Sequence, residues 1–205
     1  MAESQAMRAR QHLVCELHAG TRPPGAHISV KDIAAKLRIS HIPVREALAR
    51  LAGEGAVTAA DNRQGYTVPR FSPAALIETI DFSRLMIEAA SHDRAEPTPE
   101  TIAPTATDDP VPAIEAVMSW MTQRGQNYHV RLAISRVGLL LAPYRRAEAR
   151  VLPDWLAELK DLADRARDPR WQPVSSSYWR RRIEVAAKLI DAVEYQHHPS
   201  NIFQI

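Results

Sequence analysis

The chain has one cysteine, seven glycines and no long uninterrupted apolar run among its 205 residues. A single cysteine, Cys15, cannot form an internal disulfide, and such cysteine usage is typical of a reducing compartment. No segment reaches the apolar length needed to cross a bilayer, and the first residues lack the apolar core of a signal peptide. We therefore expect a cytoplasmic protein without a membrane partner.

Short motifs that carry common enzyme chemistry are also missing. The sequence contains no glycine-rich phosphate loop, no nucleophile elbow and no His-x-x-x-His pair. Its eight histidines are scattered along the chain. We therefore expect a protein that is not an enzyme, with no catalytic residue, no metal and no cofactor. The overall composition, with 45% hydrophobic and 24% charged residues, is that of an ordinary globular protein.

Positive charge is concentrated near the N-terminus. Residues 1–70 contain 10 lysines and arginines against 6 acidic residues, whereas residues 71–205 contain 16 against 18. A mild basic excess in one part of a chain favours attraction to the phosphates of nucleic acid.

Two short amphipathic helices are predicted within the first 70 residues, and each has its own start signal. Ser29 stands three residues before Asp32, a variant of the capping box that opens many helices. Ser40 is placed to cap the next helix by accepting from the Ile42 amide. Pro43 follows in the first turn, where its missing N–H removes no helical hydrogen bond.

The second of these helices has one narrow apolar stripe, formed by Val44, Leu48 and Leu51. Side chains that lie on or near the other side are His41, Ile42, Arg45 and Ala49. A short helix with an apolar back and a small, partly basic front suits insertion into a DNA groove.

Two short β-prone runs, Val57–Ala60 and Tyr66–Val68, surround a turn-rich polar tip at residues 61–65. The order helix, helix and two-stranded hairpin predicts a winged helix-turn-helix with a small β-hairpin wing.

At these residues the chain resembles the GntR family of bacterial transcription regulators. The resemblance covers about residues 10–70 and is centred on Ser40–Leu51, with Pro24-Gly25 before it and Gln64-Gly65 after it. It implies double-stranded DNA as a partner. The residues expected to contact DNA are Lys31, Arg38, Ser40, His41, Ile42, Arg45, Arg50, Arg63, Gln64 and Gly65.

Arg38 departs from the pattern of the family, which usually has glycine at this position. A left-handed backbone there costs a non-glycine residue roughly 1 kcal/mol, so one expectation is a tighter or differently shaped turn. Two further interpretations stay open for the side chain, which either reaches a DNA phosphate or is simply solvated.

Residues 71–205 are predicted to form an all-α helical bundle. Ser72 and Pro73 mark the start of its first helix, which runs to about residue 95. A proline-rich loop at 96–112 interrupts the helices. Four helical patterns follow it, and their limits are about Ala113–Arg124, Tyr128–Val151, Asp154–Arg167 and Ser176–Gln196. Arg84 and Glu88 are placed to pair at i, i+4. The helix that contains them resembles the first helix of the fatty-acid-regulator-like branch of the family. The C-terminal domain of this chain is expected to be a shortened form of the domain in that branch.

In that branch an aspartate and three histidines commonly hold a metal that anchors a carboxylate effector. Met118 occupies the position of the first of these histidines, and a thioether is a poor ligand for the usual metals. The helical domain therefore offers a candidate effector pocket without metal. Its candidate residues are Arg84, Glu88, Met118, Met121, His129 and Tyr144. The alternative is that the apolar members are plain core.

A basic aromatic segment near the C-terminus, residues 178–182, is interpreted as a solvated helix face, with contact to DNA or an anionic ligand as the alternative. The favoured function is a transcription regulator, expected to be a repressor, that binds a palindromic operator as a homodimer and senses a small-molecule effector. The alternative is an effector-blind protein-interaction module with vestigial DNA binding.

Overall fold

The computed structural model describes residues 4–60, 65–92, 109–123, 127–168 and 176–196. The chain divides into two compact units, Met1–Arg70 and Phe71–Ile205, called here the N-terminal domain and the helical domain. Within the described ranges, no helix is both long enough and apolar enough to span a bilayer.

The N-terminal domain contains three helices and three short strands in its described part. In chain order they are α1 (Gln5–His18), β1 (His27–Ile28), α2 (Val30–Leu37), α3 (His41–Gly53), β2 (Thr58–Ala59) and β3 (Tyr66–Thr67). α3 packs against both α1 and α2. Its predicted stripe is buried, and Leu13, Leu17 and Ile33 complete the core from the other two helices.

The sheet is antiparallel, with the order β1-β3-β2. β3 is central, since Thr67 is opposite both His27 and Thr58. The predicted hairpin is therefore present, and β1 adds a third strand to it. The polar tip at 61–64 lies outside the described residues.

The helix starts follow the predicted caps with one exception. The Ser29 hydroxyl accepts a hydrogen bond from the Asp32 amide at 3.3 Å. Ser40 occupies the N-cap position of α3 in an extended conformation, but its side chain makes no capping bond, so the predicted bond from the Ile42 amide is wrong. The next usual donor to such a cap is the third helical residue, which here is Pro43 and has no N–H.

Arg38 ends α2 in the left-handed conformation, with φ 54° and ψ 47°. The Ile39 amide donates to the Ala34 carbonyl and the Arg38 amide to the Ala35 carbonyl, the reverse turn that commonly closes helices at glycine. The expectation of a tighter or differently shaped turn is therefore wrong. Arginine accepts the strained backbone because two hydrogen bonds hold it.

The helical domain contains six helices in its described part. They are α4 (Pro73–His92), α5 (Pro110–Gln123), α6 (Tyr128–Val151), α7 (Trp155–Arg165), α8 (Ser177–Glu184) and α9 (Ala186–Gln196). α6 packs against α4, α5 and α9, and α4 also packs against α5, α8 and α9, so α4 and α6 together form the centre of the bundle. The predicted fold class, mainly α with an N-terminal winged helix and a C-terminal helical bundle, is confirmed.

Two boundaries in this domain differ from the prediction. α5 begins at Pro110, within the predicted proline-rich loop, because prolines in a first helical turn lose no hydrogen bond. The predicted helix Ser176–Gln196 is two helices, interrupted at Val185. Periodicity missed this break because buried side chains continue across it, with Trp179 before Val185 and Leu189 after it.

Candidate nucleic-acid interface

The outward side of α3 carries the residues that are predicted from the sequence to enter a DNA groove. His41, Ile42, Arg45 and Ala49 are all exposed, and together they are called the reading face. At about 100° per residue, Ile42 and Ala49 lie roughly opposite the buried stripe. His41 and Arg45 lie to one side of that line. The helix therefore presents Ile42, Ala49 and the exposed Glu46 farthest outward, with its two basic groups to one side of them.

An open groove of about 850 Å³ runs along this basic side of α3. One wall is formed by His41, Arg45 and Ala49, one helical turn apart. The facing residues come from the start of α2 and from the wing strands, and they include Ser29, Lys31, Ala59, Gly65 and Tyr66. The groove thus combines residues of two helices and the sheet, and its polar lining is basic.

Several cations of the N-terminal domain have no carboxylate partner among the described residues. Lys31 and Arg45 line the groove, whereas Arg38 ends α2 and Arg50 lies on another side of α3. All four are exposed, and none of them forms an ion pair within the described ranges. Arg45 therefore does not pair with a carboxylate of its own helix. Unpaired exposed cations are available to DNA phosphates and base edges.

Other cations of the same domain are paired, and they connect its helices. Glu16 of α1 accepts from Arg22 at 2.5 Å and from Lys36 of α2 at 2.6 Å, while His12 Nε2 lies 3.2 Å away. Burial alone would raise the pKa of the Glu16 carboxyl, but these neighbouring cations lower it below its ordinary value. Arg10 pairs with Glu54 at 2.8 Å and joins α1 to the end of α3.

The base of the wing requires glycine at position 65. Gly65 has φ +146°, and a Cβ there would lie 2.6 Å from His27 Nε2 and 2.8 Å from the Ile28 carbonyl oxygen. The His27 ring therefore closes over Gly65 and leaves no room for a side chain. Gly65 lines the groove, whereas Arg63 and Gln64 lie outside the described residues.

In the helical domain the six candidate pocket residues do not form one site. Met118 and Tyr144 line a small cavity of about 20 Å³, and Met121 is buried in the core. Arg84 is paired along α4 with Asp81 at 2.8 Å and with Glu88 at 3.3 Å. His129 is exposed in the first turn of α6, where its ring packs edge-on against Tyr128.

The same cavity borders a buried ion network that the sequence did not indicate. Arg182 of α8 is 3% exposed and donates to Glu148 of α6 at 2.7 and 2.9 Å and to Glu158 of α7 at 2.7 Å. Its guanidinium carbon lies 3.5 Å from the centre of the Tyr178 ring. The interpretation of residues 178–182 as a solvated face is therefore wrong, since Tyr178, Trp179 and Arg182 are buried.

Burial dominates the titration of two members of this network. It raises the pKa of the Glu148 carboxyl, although Arg182 opposes the change, and it raises the pKa of Tyr178 to about 12. Burial acts to lower the pKa of Arg182, but Tyr178 and the two carboxylates raise it overall. The sequence does contain a signal for the burial of Glu148, though not for its partner, because Glu148 follows Leu141 and Tyr144 at helical spacing on an apolar stripe.

No group of three or more metal-binding side chains occurs within the described part of the chain. The aspartate and three histidines of the resembling branch are therefore not assembled there, and Met118 lies among apolar and ion-paired neighbours.

Comparison with known proteins agrees with this geometry. Residues 5–68 match the family model of the bacterial regulatory proteins, gntR family. The fold is similar to that of E. coli McbR/YncC, with a TM-score of 0.59 and 16% identity over 96% of this chain and 100% of that one. It is also similar to a GntR structure from Rhodococcus sp. RHA1, with a TM-score of 0.55 and 20% identity over 95% and 97% of the two chains. No curated protein sequence matches the chain.

The class that the family match defines for residues 5–68 is that of the bacterial regulatory proteins. The N-terminal domain is a GntR-type helix-turn-helix DNA-binding domain, and the whole chain has the fold of GntR structures. The narrower resemblance, to the fatty-acid-regulator-like branch with a shortened C-terminal domain, stays a prediction.

Proposed function

We propose that the chain is a cytoplasmic repressor that binds a palindromic operator in double-stranded DNA as a homodimer. The observation that carries this proposal is the reading face of α3, exposed beside a groove whose cations have no partner in the described structure. A DNA duplex supplies what these cations lack, because phosphates and base edges accept hydrogen bonds from arginine and lysine.

Within this interface we assign different roles to Arg45 and Lys31. Arg45 extends from the middle of the reading face, where its guanidinium can bind the O6 and N7 atoms of a guanine in the major groove. Lys31 lies at the start of α2 across the groove, where a lysine suits a phosphate. The first contact gives sequence preference, and the second gives affinity and orientation.

An exposed apolar pair on α4 supports the homodimer. Phe82 and Leu85 of α4 are 42% and 43% exposed, and their spacing of three residues places them on one side of the helix. A two-fold dimer would present two reading faces about one DNA turn apart, which is why we infer a palindromic operator.

An effector in the helical domain would need a change in the structure. The cavity beside Met118 and Tyr144 has about 20 Å³, which is room for about one water molecule. Since Arg182 and Glu148 also line it, a ligand at this place would have to displace or rearrange that ion pair.

The experiment begins with selection of duplexes from a randomised pool by the full-length protein. Binding to the selected and the scrambled duplex is then measured at two salt concentrations. The variants are Arg45→Ala, Lys31→Ala and the control Lys160→Ala, which removes an exposed charge from α7. Sedimentation of the complex gives the number of chains for each duplex, with two expected.

We expect Arg45→Ala to lose about 1–3 kcal/mol of preference for the selected duplex. Lys31→Ala should weaken both duplexes and reduce the slope of log affinity against log salt by about one. Lys160→Ala should change neither. If Arg45→Ala keeps the full preference, α3 is not the reader, and the protein-interaction module becomes the better proposal.

A further inference from the structure

Ile42 is unusual for its exposure. It is 69% exposed, and the other large apolar side chain that is exposed in the described N-terminal domain, Met7, is 40% exposed. Burial of an isoleucine side chain is favourable, so its exposure to water leaves a gain in free energy for a binding partner that covers it.

The position of Ile42 on α3 indicates that it contacts the same partner as Arg45. It is the second residue of the helix and lies roughly opposite the buried stripe, so it extends outward at the N-terminal end of the reading face. The N-terminal residues of a recognition helix are the ones that meet base edges. Ala49, farther along the same side, is small and does not hold the helix away from a groove.

We propose that Ile42 determines specificity by contacting the C5-methyl group of a thymine in the operator. An isoleucine side chain has no hydrogen-bond donor or acceptor, so it cannot recognise the polar atoms of a base edge. The thymine methyl is the apolar group that the major groove displays, and aliphatic side chains pack against it. This inference rests on the proposed function, and it adds the identity of one operator base that the protein recognises.

A protein partner fits the surroundings of Ile42 less well. Arg45 lies one turn farther along the helix, and both Arg45 and the nearby Lys31 lack an ion pair within the described residues. An apolar protein surface would have to bury these cations without partners, which is costly. A duplex offers them phosphates and guanine while it offers Ile42 a methyl group.

The test uses full-length protein and a duplex selected from a randomised pool. Each thymine of that duplex is replaced in turn by uracil, which removes the methyl group and keeps every hydrogen-bonding atom. Dissociation constants are measured for the wild type, Ile42→Ala and Ile42→Val. The matched control is Met7→Ala, which truncates the other exposed apolar side chain of the domain.

We expect one thymine in each half-site whose replacement by uracil weakens wild-type binding about fourfold, the value of roughly one buried methyl group. The same replacement should leave Ile42→Ala unchanged within error. Ile42→Val, which retains two methyl groups, should keep most of the sensitivity, and Met7→Ala should keep all of it.

The proposal is overturned if uracil weakens no complex, or if it weakens the wild type and Ile42→Ala equally, because another residue would then contact the methyl. It is also overturned if Ile42→Ala binds both thymine and uracil duplexes as tightly as the wild type. Failure of the wild type to enrich any duplex would be a different result, because it would contradict the proposed function itself.

Discussion

Particular arginines of the two domains have opposite environments. In the N-terminal domain Arg38, Arg45 and Arg50 are exposed and have no ion-pair partner among the described residues. In the helical domain Arg182 is 3% exposed and bound by two carboxylates and a backbone carbonyl. The same side chain is left available for a ligand in one domain and is fully used by the structure in the other.

This difference follows from the elements that surround each arginine. α3 buries one stripe and leaves the rest of its circumference in water, so no carboxylate from another helix approaches Arg45. α8 lies against the rest of the bundle, and Glu148 and Glu158 come from two separate helices to meet it. A charge is therefore structural or functional according to its neighbours in space, which helical spacing alone does not indicate.

The largest effect is expected from breaking the buried network. Arg182→Met should destabilise the helical domain by about 3–5 kcal/mol, because Glu148 would remain buried without its main partner. All four tryptophans, at 120, 155, 171 and 179, lie in the helical domain, so the midpoint of denaturant unfolding followed by tryptophan fluorescence reports on that domain.

Two further variants make this measurement specific. Arg180→Met changes an exposed arginine of the same helix and should have little effect. The double variant Glu148→Leu with Arg182→Met should recover most of the stability, since an apolar pair can replace a buried ion pair. Equal unfolding midpoints for Arg182→Met and Arg180→Met would contradict the structural role of Arg182, and with it the contrast between Arg182 and Arg45.

A smaller effect is expected at Glu16, the one described carboxylate of the N-terminal domain that gathers several cations. Glu16→Gln should lower the stability of this domain by about 1–2 kcal/mol at neutral pH, because charge-assisted hydrogen bonds to Arg22 and Lys36 are lost. Amide hydrogen exchange in α1 and α2 of the full-length protein measures the change locally.

The stabilisation that Glu16 provides should depend on pH. The neighbouring cations lower the pKa of folded Glu16 below its ordinary 4.5. Its contribution to stability is therefore full at a pH well above 4.5 and is lost as the pH falls through the lower folded value. The difference between wild type and Glu16→Gln should shrink in acid. A difference that stays constant from pH 7 to pH 3 would contradict the role of the charge, and the exposed Glu46→Gln serves as the control.

The reading face was predictable from the sequence because it depends only on the order of residues within α3. The stripe Val44–Leu48–Leu51 determines which side of α3 is buried, and the opposite side follows from helical geometry. The winged order of elements was predictable for the same reason, since β2 and β3 lie close together along the chain.

What could not be predicted depends on contacts between distant residues. Glu148 and Arg182 are 34 positions apart, and nothing in local periodicity brings them together. Ser40 makes no side-chain capping bond although it stands at the N-cap position, and the alternative donor position, Pro43, has no N–H. Sequence identifies the position of such a residue but not the bonds that its side chain makes.

The smallest expected effect concerns Arg38, which combines a strained backbone with an unpaired charge. Its left-handed conformation costs a non-glycine residue about 1 kcal/mol, so Arg38→Gly should stabilise the N-terminal domain by up to about that amount. If the side chain also reaches a DNA phosphate, the same variant should bind the selected duplex more weakly and lower the salt slope by about one. Hydrogen exchange measures the first quantity, and binding at two salt concentrations measures the second.

Arg38→Asn separates these two consequences, because asparagine tolerates the left-handed region and carries no charge. It should lose the same DNA affinity as Arg38→Gly while gaining less stability. Arg38→Lys should retain the salt slope, since a lysine can still contact a phosphate. If Arg38→Gly gains stability but binds DNA as the wild type does, the arginine is simply solvated. Arg38 would then differ from Arg45 in role although both are unpaired, and lack of an ion pair would be necessary but insufficient for a contact to DNA.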